Sequence, residues 1–126
     1  SAEVLAEQAR IARNDAIIFV FPVWWWSVPA MTKGWIDRVW NHGWAYGAEG
    51  EKIPLQKARM LAVAASDAPH YAKRGYDTAM QVQLVTGILD YCGIADSGLD
   101  FLHGSLDDAG QRAALLDTAR EIGRRF

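Results

Sequence analysis

Residues 16–30 read AIIFVFPVWWWSVPA, and this stretch decides how the rest of the chain is interpreted. Its first six residues form an unbroken apolar run, rich in β-branched and aromatic side chains, that stops at Pro22. Runs of this kind are typical of strands buried on both faces, as in parallel sheets. We therefore expect a strand over residues 16–21, followed by a loop that holds three adjacent tryptophans.

The three tryptophans raise a question of burial. Neighbours on a strand point to opposite faces and neighbours on a helix fan around its axis, so no regular element buries Trp24, Trp25 and Trp26 together. Exposed rings with backbone N–H and C=O groups between them suit a planar heteroaromatic ligand such as a flavin, a quinone or a nicotinamide. The alternative is structural, with the rings packed against the following helix. The next loop adds further aromatic side chains: His42, Trp44 and Tyr46.

Outward from this stretch, apolar periodicity predicts alternating helices and strands. The predicted helices cover residues 2–13, a segment that opens at Pro29, residues 78–91, and a segment that Ser105 caps with Asp108 as its capping-box partner. The further predicted strands cover residues 59–65 and 97–102, and residues 66–77 are expected to form a polar loop. Spacing places the following side chains on the core faces of the helices: Leu5, Ile11, Met31, Trp35, Val39, Leu84, Ile88, Leu116 and Ile122.

Alternation of helices with buried strands predicts the α/β class with a parallel sheet and right-handed crossovers. Ligands of such sheets bind beyond the carboxyl ends of the strands. Two loops qualify first, residues 22–28 and residues 65–76, because each follows an apolar strand. If the two strands are neighbours, these loops lie side by side, and the tryptophans belong to the ligand end of the sheet.

Composition limits the function classes. The chain has 126 residues, which is enough for one domain, and its formal net charge of −2 argues against a nucleic-acid partner. A single cysteine, Cys92, excludes a disulfide within the chain and favours a reducing compartment. The apolar runs are too short for a membrane span, and the first ten residues lack the pattern of a signal peptide. We therefore expect a cytoplasmic protein.

Other candidate residues carry weaker signals. Cys92 falls on the apolar side of a predicted helix, where a structural thiol is expected. The three histidines show no metal-ligand spacing, so no metal site is predicted: His42, His70 and His103. His70 or Tyr71 could donate a proton in a redox site, but a surface position fits either residue equally well.

The sequence FPVWWWSVPAMTKGWIDRVWNHGWAYG, residues 21–47, resembles the signature of the flavodoxin-like NAD(P)H:quinone oxidoreductases. This family includes the ancillary oxidoreductase subunits of glutathione-gated potassium efflux systems. The resemblance implies a flavodoxin-like parallel sheet with helices on both faces and a bound FMN or FAD. It also implies two-electron, ping-pong hydride transfer from NAD(P)H to a quinone-like acceptor, and a homodimer.

The resemblance also assigns roles by position. It implies that two segments contact the flavin ring: Pro22, Val23, Trp24, Trp25 and Trp26 in the first loop, and Ala65, Ser66 and Asp67 in the second. Three side chains would line the pocket of the nicotinamide and the quinone, the last of them reaching a neighbouring subunit: Trp25, Trp26 and Tyr46. Tyr71 and Tyr76 would be the catalytic residues that help to shift charge during hydride transfer.

The chain departs from the family pattern in two places. Residues 65–67 replace a glycine-rich loop, and the carboxylate of Asp67 would disfavour a reduced, anionic flavin unless it points to solvent. The chain also begins where the third strand of the family fold is about to start. Residues 1–126 are therefore interpreted as the C-terminal portion of a single flavodoxin-like domain that lacks its first two strands, which would leave the edge of strand 16–21 bare.

Two alternatives to the flavoenzyme remain open. The segment His42–Gly47 resembles the efflux-system branch of the family, so the protein would be a regulatory subunit that binds a membrane transporter. The loss of the glycines at residues 66 and 67 favours a degenerate homologue that binds no flavin.

Overall fold

A computed structural model describes all residues from Ser1 to Phe126. The helices and strands follow in this order: α1 (Ala2–Ala12), β1 (Ala16–Pro22), α2 (Ala30–Val39), β2 (Lys57–Ala64), α3 (Ala68–Arg74), α4 (Tyr76–Met80), a π-helix (Gln81–Asp90), β3 (Asp96–His103) and α5 (Ala109–Arg125). No helix of the protein is both long enough and apolar enough to cross a membrane.

The three strands form one parallel sheet in the order β1-β2-β3. Ala16 pairs with Lys57 at the start of β1, and Pro22 pairs with Val63 at its end. β1 and β2 are neighbours, which is the condition under which the sequence placed the loops that follow them side by side. The α/β class and the parallel sheet are both confirmed.

Helices cover both faces of the sheet. On one face, Met60 and Ala62 of β2 belong to a core of 19 buried residues that also contains Ile36 of α2 and Leu84 of the π-helix. On the other face, a smaller cluster joins Leu61 and Leu102 to Ile122 of α5. Alternate residues of β2 therefore serve opposite cores, as the period of two in a strand requires.

An aromatic group anchors α1 and α2 to this large core. Trp40 is 5% exposed and packs edge-on against Phe19 and Trp35. The Trp35 indole N–H donates a 2.8 Å hydrogen bond to the Glu7 carboxylate of α1, which ties the two helices together. Trp40 Nε1 is the one buried side-chain polar atom without a hydrogen-bond partner.

The burial predicted for the first strand is wrong. β1 lies at the edge of the sheet, and Val20 is 63% exposed on the face that carries α5. Only β2 has neighbours on both sides, and it is the strand whose residues are mostly buried. The bare edge that the family resemblance implied is therefore present.

Several element boundaries also differ from the prediction. The expected polar loop over residues 66–77 contains α3, which begins after Asp67 because the Asp67 side chain accepts the amide hydrogen of His70. The helix predicted over residues 78–91 starts at Tyr76 and is π-helical from Gln81. Asp108 rather than Ser105 caps the last helix, because its carboxylate accepts the Gln111 N–H.

Three residues assigned to helix core faces are in fact exposed. Met31 is 88% exposed, Leu5 65% and Leu116 60%. Leu116 faces a groove of about 430 Å³ between α5 and the β1 edge, whose lining is almost entirely apolar. Periodicity identified apolar helix faces, but it could not show that parts of those faces have nothing packed against them.

Candidate functional site at the carboxyl edge of the sheet

A tight turn forms at the end of β1. Val23 N–H donates to Val63 of β2, and Trp24 and Ser27 then exchange two backbone hydrogen bonds of 3.2 Å. Between them, Trp25 and Trp26 both adopt positive φ, at 52° and 55°. Two-residue turns of this type favour Asn-Gly, because a left-handed conformation costs other residues about 1–2 kcal/mol each. Trp25 and Trp26 therefore adopt an unfavourable backbone conformation at this edge.

The rings of this turn are not core residues. Trp25 is 87% exposed, Trp24 60% and Trp26 37%, so the structural interpretation, in which all three pack against the following helix, is wrong. The amides of Trp25 and Trp26 make no hydrogen bond to the backbone. The turn thus combines flat apolar surface with two free N–H donors.

An aromatic belt continues from this turn across the ends of all three strands. Trp25 contacts Trp26 edge-on at 5.7 Å, and Trp26 stacks on Tyr76 with ring centres 4.2 Å apart. Tyr76 contacts Tyr71 at 5.7 Å, and Tyr71 contacts His103 at 4.9 Å. Phe101 completes the belt by stacking on His103. The structure therefore brings both predicted catalytic tyrosines into one surface with Trp25 and Trp26.

The two tyrosines differ in environment. The Tyr71 side chain is buried, and burial raises its pKa above the ordinary 10.0, with the neighbouring Tyr76 acting in the same direction. Tyr76 is half-buried under Trp26. Tyr71 thus keeps its proton at neutral pH and can act as a hydrogen-bond donor.

The second predicted flavin loop, Ala65 to Asp67, is exposed and lies beside the end of β3. The Ser66 carbonyl lies 3.0 Å from His103 Nδ1 and accepts the Gly104 N–H at 3.4 Å. A carbonyl can only accept, so His103 carries its hydrogen on Nδ1 and its Nε2 is the free acceptor in the neutral ring. The Asp67 carboxylate caps α3, so it is already engaged by a backbone amide.

Sequence reasoning missed four residues at this edge: Ser27, Gln83, Phe101 and His103. His103 was set aside for lack of metal-ligand spacing, although it closes the third strand, where ligands of parallel sheets also bind. The same rule could have identified Phe101. Ser27 lies in the predicted ligand loop 22–28, but no local signal pointed to its hydrogen bond with Gln83, which spans 56 residues.

Tyr46 is the one predicted site residue that lies away from the carboxyl edge of the sheet. Its ring contacts His42 at 5.5 Å and Tyr91 at 5.7 Å, at the far end of the π-helix. Tyr91 is 68% exposed, so this group forms a second aromatic surface. A role for Tyr46 in the same pocket would require a second subunit.

The chain matches the family described as having the flavodoxin-like fold over residues 1–125. Among curated proteins, it is 39% identical over 102 residues to the NAD(P)H oxidoreductase YcaK of Escherichia coli K12, covering 81% of this chain and 51% of that protein. It is 33% identical over 95 residues to the glutathione-regulated potassium-efflux system ancillary protein KefF of Enterobacter sp. 638, covering 73% and 53%. The chain therefore spans about half the length of these curated relatives.

Solved structures agree with this assignment. An NAD(P)H:quinone oxidoreductase from Methanothermobacter marburgensis superposes with a TM-score of 0.93 at 34% identity, over 98% of this chain and 63% of that one. The general stress protein 14 of Treponema denticola, solved in complex with FMN, superposes with a TM-score of 0.71 at 26% identity, over 94% and 68%. The parallel sheet, the helices on both faces and the match over residues 1–125 together show that this chain belongs to the flavodoxin-like family.

Proposed function

We propose that the chain is part of a flavin-dependent NAD(P)H:quinone oxidoreductase. The observation that carries this proposal is the Trp24–Ser27 turn at the carboxyl edge of the sheet, with Trp25 exposed and Trp26 stacked on Tyr76. The similarity to proteins named as NAD(P)H or quinone oxidoreductases supports the same conclusion. The acceptor is a quinone or a similarly planar molecule.

The residues present fit a planar isoalloxazine ring. The free amides of Trp25 and Trp26 supply donors for ring carbonyl oxygens, and Pro22 and Val23 bring the backbone to the same edge. The exposed backbone of residues 65–67 borders the other side. When bound, the flavin would take a hydride from NAD(P)H and pass it to the acceptor in two half-reactions.

The side chains of this edge have separable roles in the proposal. Trp25 and Trp26 form an apolar wall against the nicotinamide and the quinone, and they exclude water from it. Tyr71, whose pKa is raised by burial, stays protonated, and its hydroxyl donates a hydrogen bond to developing negative charge. Tyr76 is the second hydroxyl of this pair. FMN in a relative's structure favours FMN over FAD.

The direct test is NAD(P)H oxidation by the purified, flavin-loaded protein with a soluble quinone. We expect activity in the wild type and, in Trp25→Ala, a quinone KM raised by about tenfold, as expected when a stacking contact of about 1–1.5 kcal/mol is lost. Leu5→Ala is the matched control, because Leu5 is 65% exposed on α1 and outside the belt. A flavin-loaded wild type that reduces no quinone would refute the proposal.

We further propose that residues 1–126 are the C-terminal portion of a flavodoxin-like domain in a cytoplasmic homodimer. The free edge of β1 and the uncovered apolar groove beside α5 support a fold with more strands. The exposed aromatic surface of Tyr46 and Tyr91 suits a subunit interface. Ultracentrifugation of Tyr46→Ala and the wild type would test the dimer, with a weaker dimer expected in the variant.

A second candidate function is regulation of a membrane transporter. The KefF similarity favours it, and His42 and Tyr46 of the segment that suggested it pack together at the surface. Co-purification with the cytoplasmic domain of a potassium-efflux transporter would support this role. A protein that remains a self-dimer in the presence of that domain would contradict it.

A flavin-free role is the remaining alternative, based on the absence of glycine at residues 66 and 67. Its test is the variant Ser66→Gly/Asp67→Gly, which should raise flavin affinity if these side chains block the ring. Since Asp67 caps α3, this variant should also be less stable, so affinity must be measured well below its unfolding midpoint. Unchanged affinity would remove the argument for a degenerate homologue.

A further inference from the structure

The strained turn at the end of β1 is held by contacts to one other segment. Trp26 stacks on Tyr76 at the start of α4, with ring centres 4.2 Å apart. Ser27 Oγ donates a 2.8 Å hydrogen bond to Gln83 Oε1 in the first turn of the π-helix. Both contacts therefore join the turn to the same continuous helical stretch, residues 76–90.

The turn has little else to fix its conformation. Its two internal hydrogen bonds are 3.2 Å long, at the weak end of the usual range. Trp25 is 87% exposed, so its ring buries almost nothing that would offset its positive φ. Strained conformations of this kind persist only where surrounding contacts over-determine them.

Gln83 is well placed for this purpose. It is the third residue of the π-helix that begins at Gln81. The π-helical conformation is rare and is frequent at functional sites. Its side chain is exposed and makes one side-chain hydrogen bond, to Ser27, so Gln83 does not belong to the core. Gln81, two residues earlier, is also exposed but lies on another side of the helix.

We propose that Gln83 is a positioning residue that holds the Trp24–Ser27 turn, through Ser27, in the conformation that presents Trp25 to the acceptor. This inference rests on the proposed function, because it assigns the acceptor wall to Trp25. Gln83 acts on the turn and not on the ligand. Its loss should therefore weaken acceptor binding without changing the chemical step.

The first test measures the turn without any ligand. Hydrogen exchange of the Trp24 and Ser27 amides is compared in the wild type, Gln83→Ala, Gln83→Glu and Gln81→Ala. We expect exchange about threefold to tenfold faster in Gln83→Ala, as the loss of one hydrogen bond implies. Gln83→Glu keeps the acceptor oxygen and should restore slow exchange, and Gln81→Ala should resemble the wild type.

The second test measures quinone kinetics on these four proteins, on Ser27→Ala and on the Ser27→Ala/Gln83→Ala double variant, all flavin-loaded. Gln83→Ala should raise the quinone KM by about threefold to tenfold with kcat within about twofold of wild type. Ser27→Ala should have the same effect, and the double variant should be no worse than either single variant.

The outcomes separate this inference from the function on which it rests. Wild-type exchange rates in Gln83→Ala, or failure of Gln83→Glu to restore them, would overturn the proposed positioning role of Gln83. An active wild type with an unchanged KM in Gln83→Ala would overturn only the role in acceptor binding. A flavin-loaded wild type without quinone reduction would refute the proposed function and the acceptor role together.

Discussion

At the scale of single residues, Trp25 combines an unfavourable backbone with an exposed side chain. Asparagine tolerates positive φ far better than tryptophan does, and the Trp25 ring contributes little packing. We expect Trp25→Asn to raise the free energy of unfolding by about 1 kcal/mol while raising the quinone KM. Urea denaturation and quinone titration of the same preparation would measure the two effects.

Trp26→Asn is the control for this prediction. Trp26 has almost the same φ, but its ring stacks on Tyr76, so relief of strain is offset by loss of that contact. The gain in stability should therefore be smaller than in Trp25→Asn. Equal gains would mean that the Tyr76 stack contributes nothing.

Two variants of Asp67 separate its role as a helix cap from the effect of its negative charge. Its carboxylate accepts the His70 N–H, so Asp67→Ala should lower the free energy of unfolding by about 1 kcal/mol. Asp67→Asn retains a capping oxygen and should change stability by only a few tenths of a kcal/mol. Thermal denaturation of both variants checks the cap. A rise in flavin affinity in Asp67→Asn, which keeps the capping oxygen, would report the removal of the charge.

Residue-level roles were only partly predictable from the sequence. The three tryptophans stood out because no regular element can bury adjacent large rings. The left-handed backbone of Trp25 and Trp26 could not be predicted, because local propensity opposes it and distant contacts hold it. Asp67 was interpreted through a missing glycine, whereas the structure uses it as a cap.

At the scale of elements, two helical glycines should respond differently to alanine. A methyl group added at Gly34 of α2 would meet no other atom within 4 Å, so Gly34→Ala should stabilise the protein by about 1 kcal/mol. In the π-helix, an added carbon at Gly87 would lie 3.1 Å from the Val82 carbonyl oxygen. Gly87→Ala should therefore stabilise the protein less than Gly34→Ala does, or destabilise it. Chemical denaturation of both variants measures the difference in free energy of unfolding.

An ion pair between Asp96 at the start of β3 and Arg59 of β2 should make the stability of the protein depend on pH. A 2.8 Å hydrogen bond from Arg59 lowers the pKa of Asp96 below its ordinary 3.8, and the charges of Arg59 and Lys57 add to this effect. A lowered folded-state pKa stabilises the fold above the unfolded pKa, and this contribution is lost as pH falls through the folded value.

We therefore expect Asp96→Asn to be less stable than the wild type at neutral pH. The difference should shrink as pH falls below about 4, where the wild-type carboxylate becomes protonated. Urea denaturation of both proteins at several pH values is the measurement. A stability difference that does not change with pH would show that Asp96 acts only through packing.

Elements were the most predictable level of the structure. The sequence identified all three strands to within two residues, the first two through apolar runs of the kind that a parallel sheet needs. α3 was missed because its seven residues, APHYAKR, carry no apolar period. The π-helix was predicted as an ordinary helix, since both conformations place apolar side chains on one face.

At the scale of the whole molecule, we expect the open edge of β1 to favour association between copies of the chain. Val20 is 63% exposed at the groove beside α5, where an apolar edge strand favours pairing with another chain. Val20→Lys should suppress this association, because an edge lysine opposes strand pairing. Sedimentation velocity over a range of concentrations measures it. Leu5→Lys, on exposed α1, should leave association unchanged.

The α/β class and the parallel sheet followed from the sequence, because alternating elements restrict the topology. The site at the carboxyl ends of the strands stays a prediction, based on where ligands of such sheets bind. The full belt did not follow, because Phe101 and His103 come from the last strand and meet Tyr71 only after folding. The exposure of β1 could not be predicted either. A continuous apolar run indicates a strand that packs on both faces, whereas Val20 is exposed.

The buried, unpaired indole of Trp40 and the exposed indole of Trp25 give the molecule two fluorescent reporters. A buried indole without a hydrogen-bond partner emits at shorter wavelengths than a hydrated one, so Trp40 and Trp25 mark opposite ends of the emission band. Unfolding should shift the short-wavelength end to the red. A planar ring stacked on Trp25 should quench the long-wavelength end most strongly, because contact quenching acts only at short range. One fluorescence spectrum can thus separate loss of the fold from occupancy of the turn.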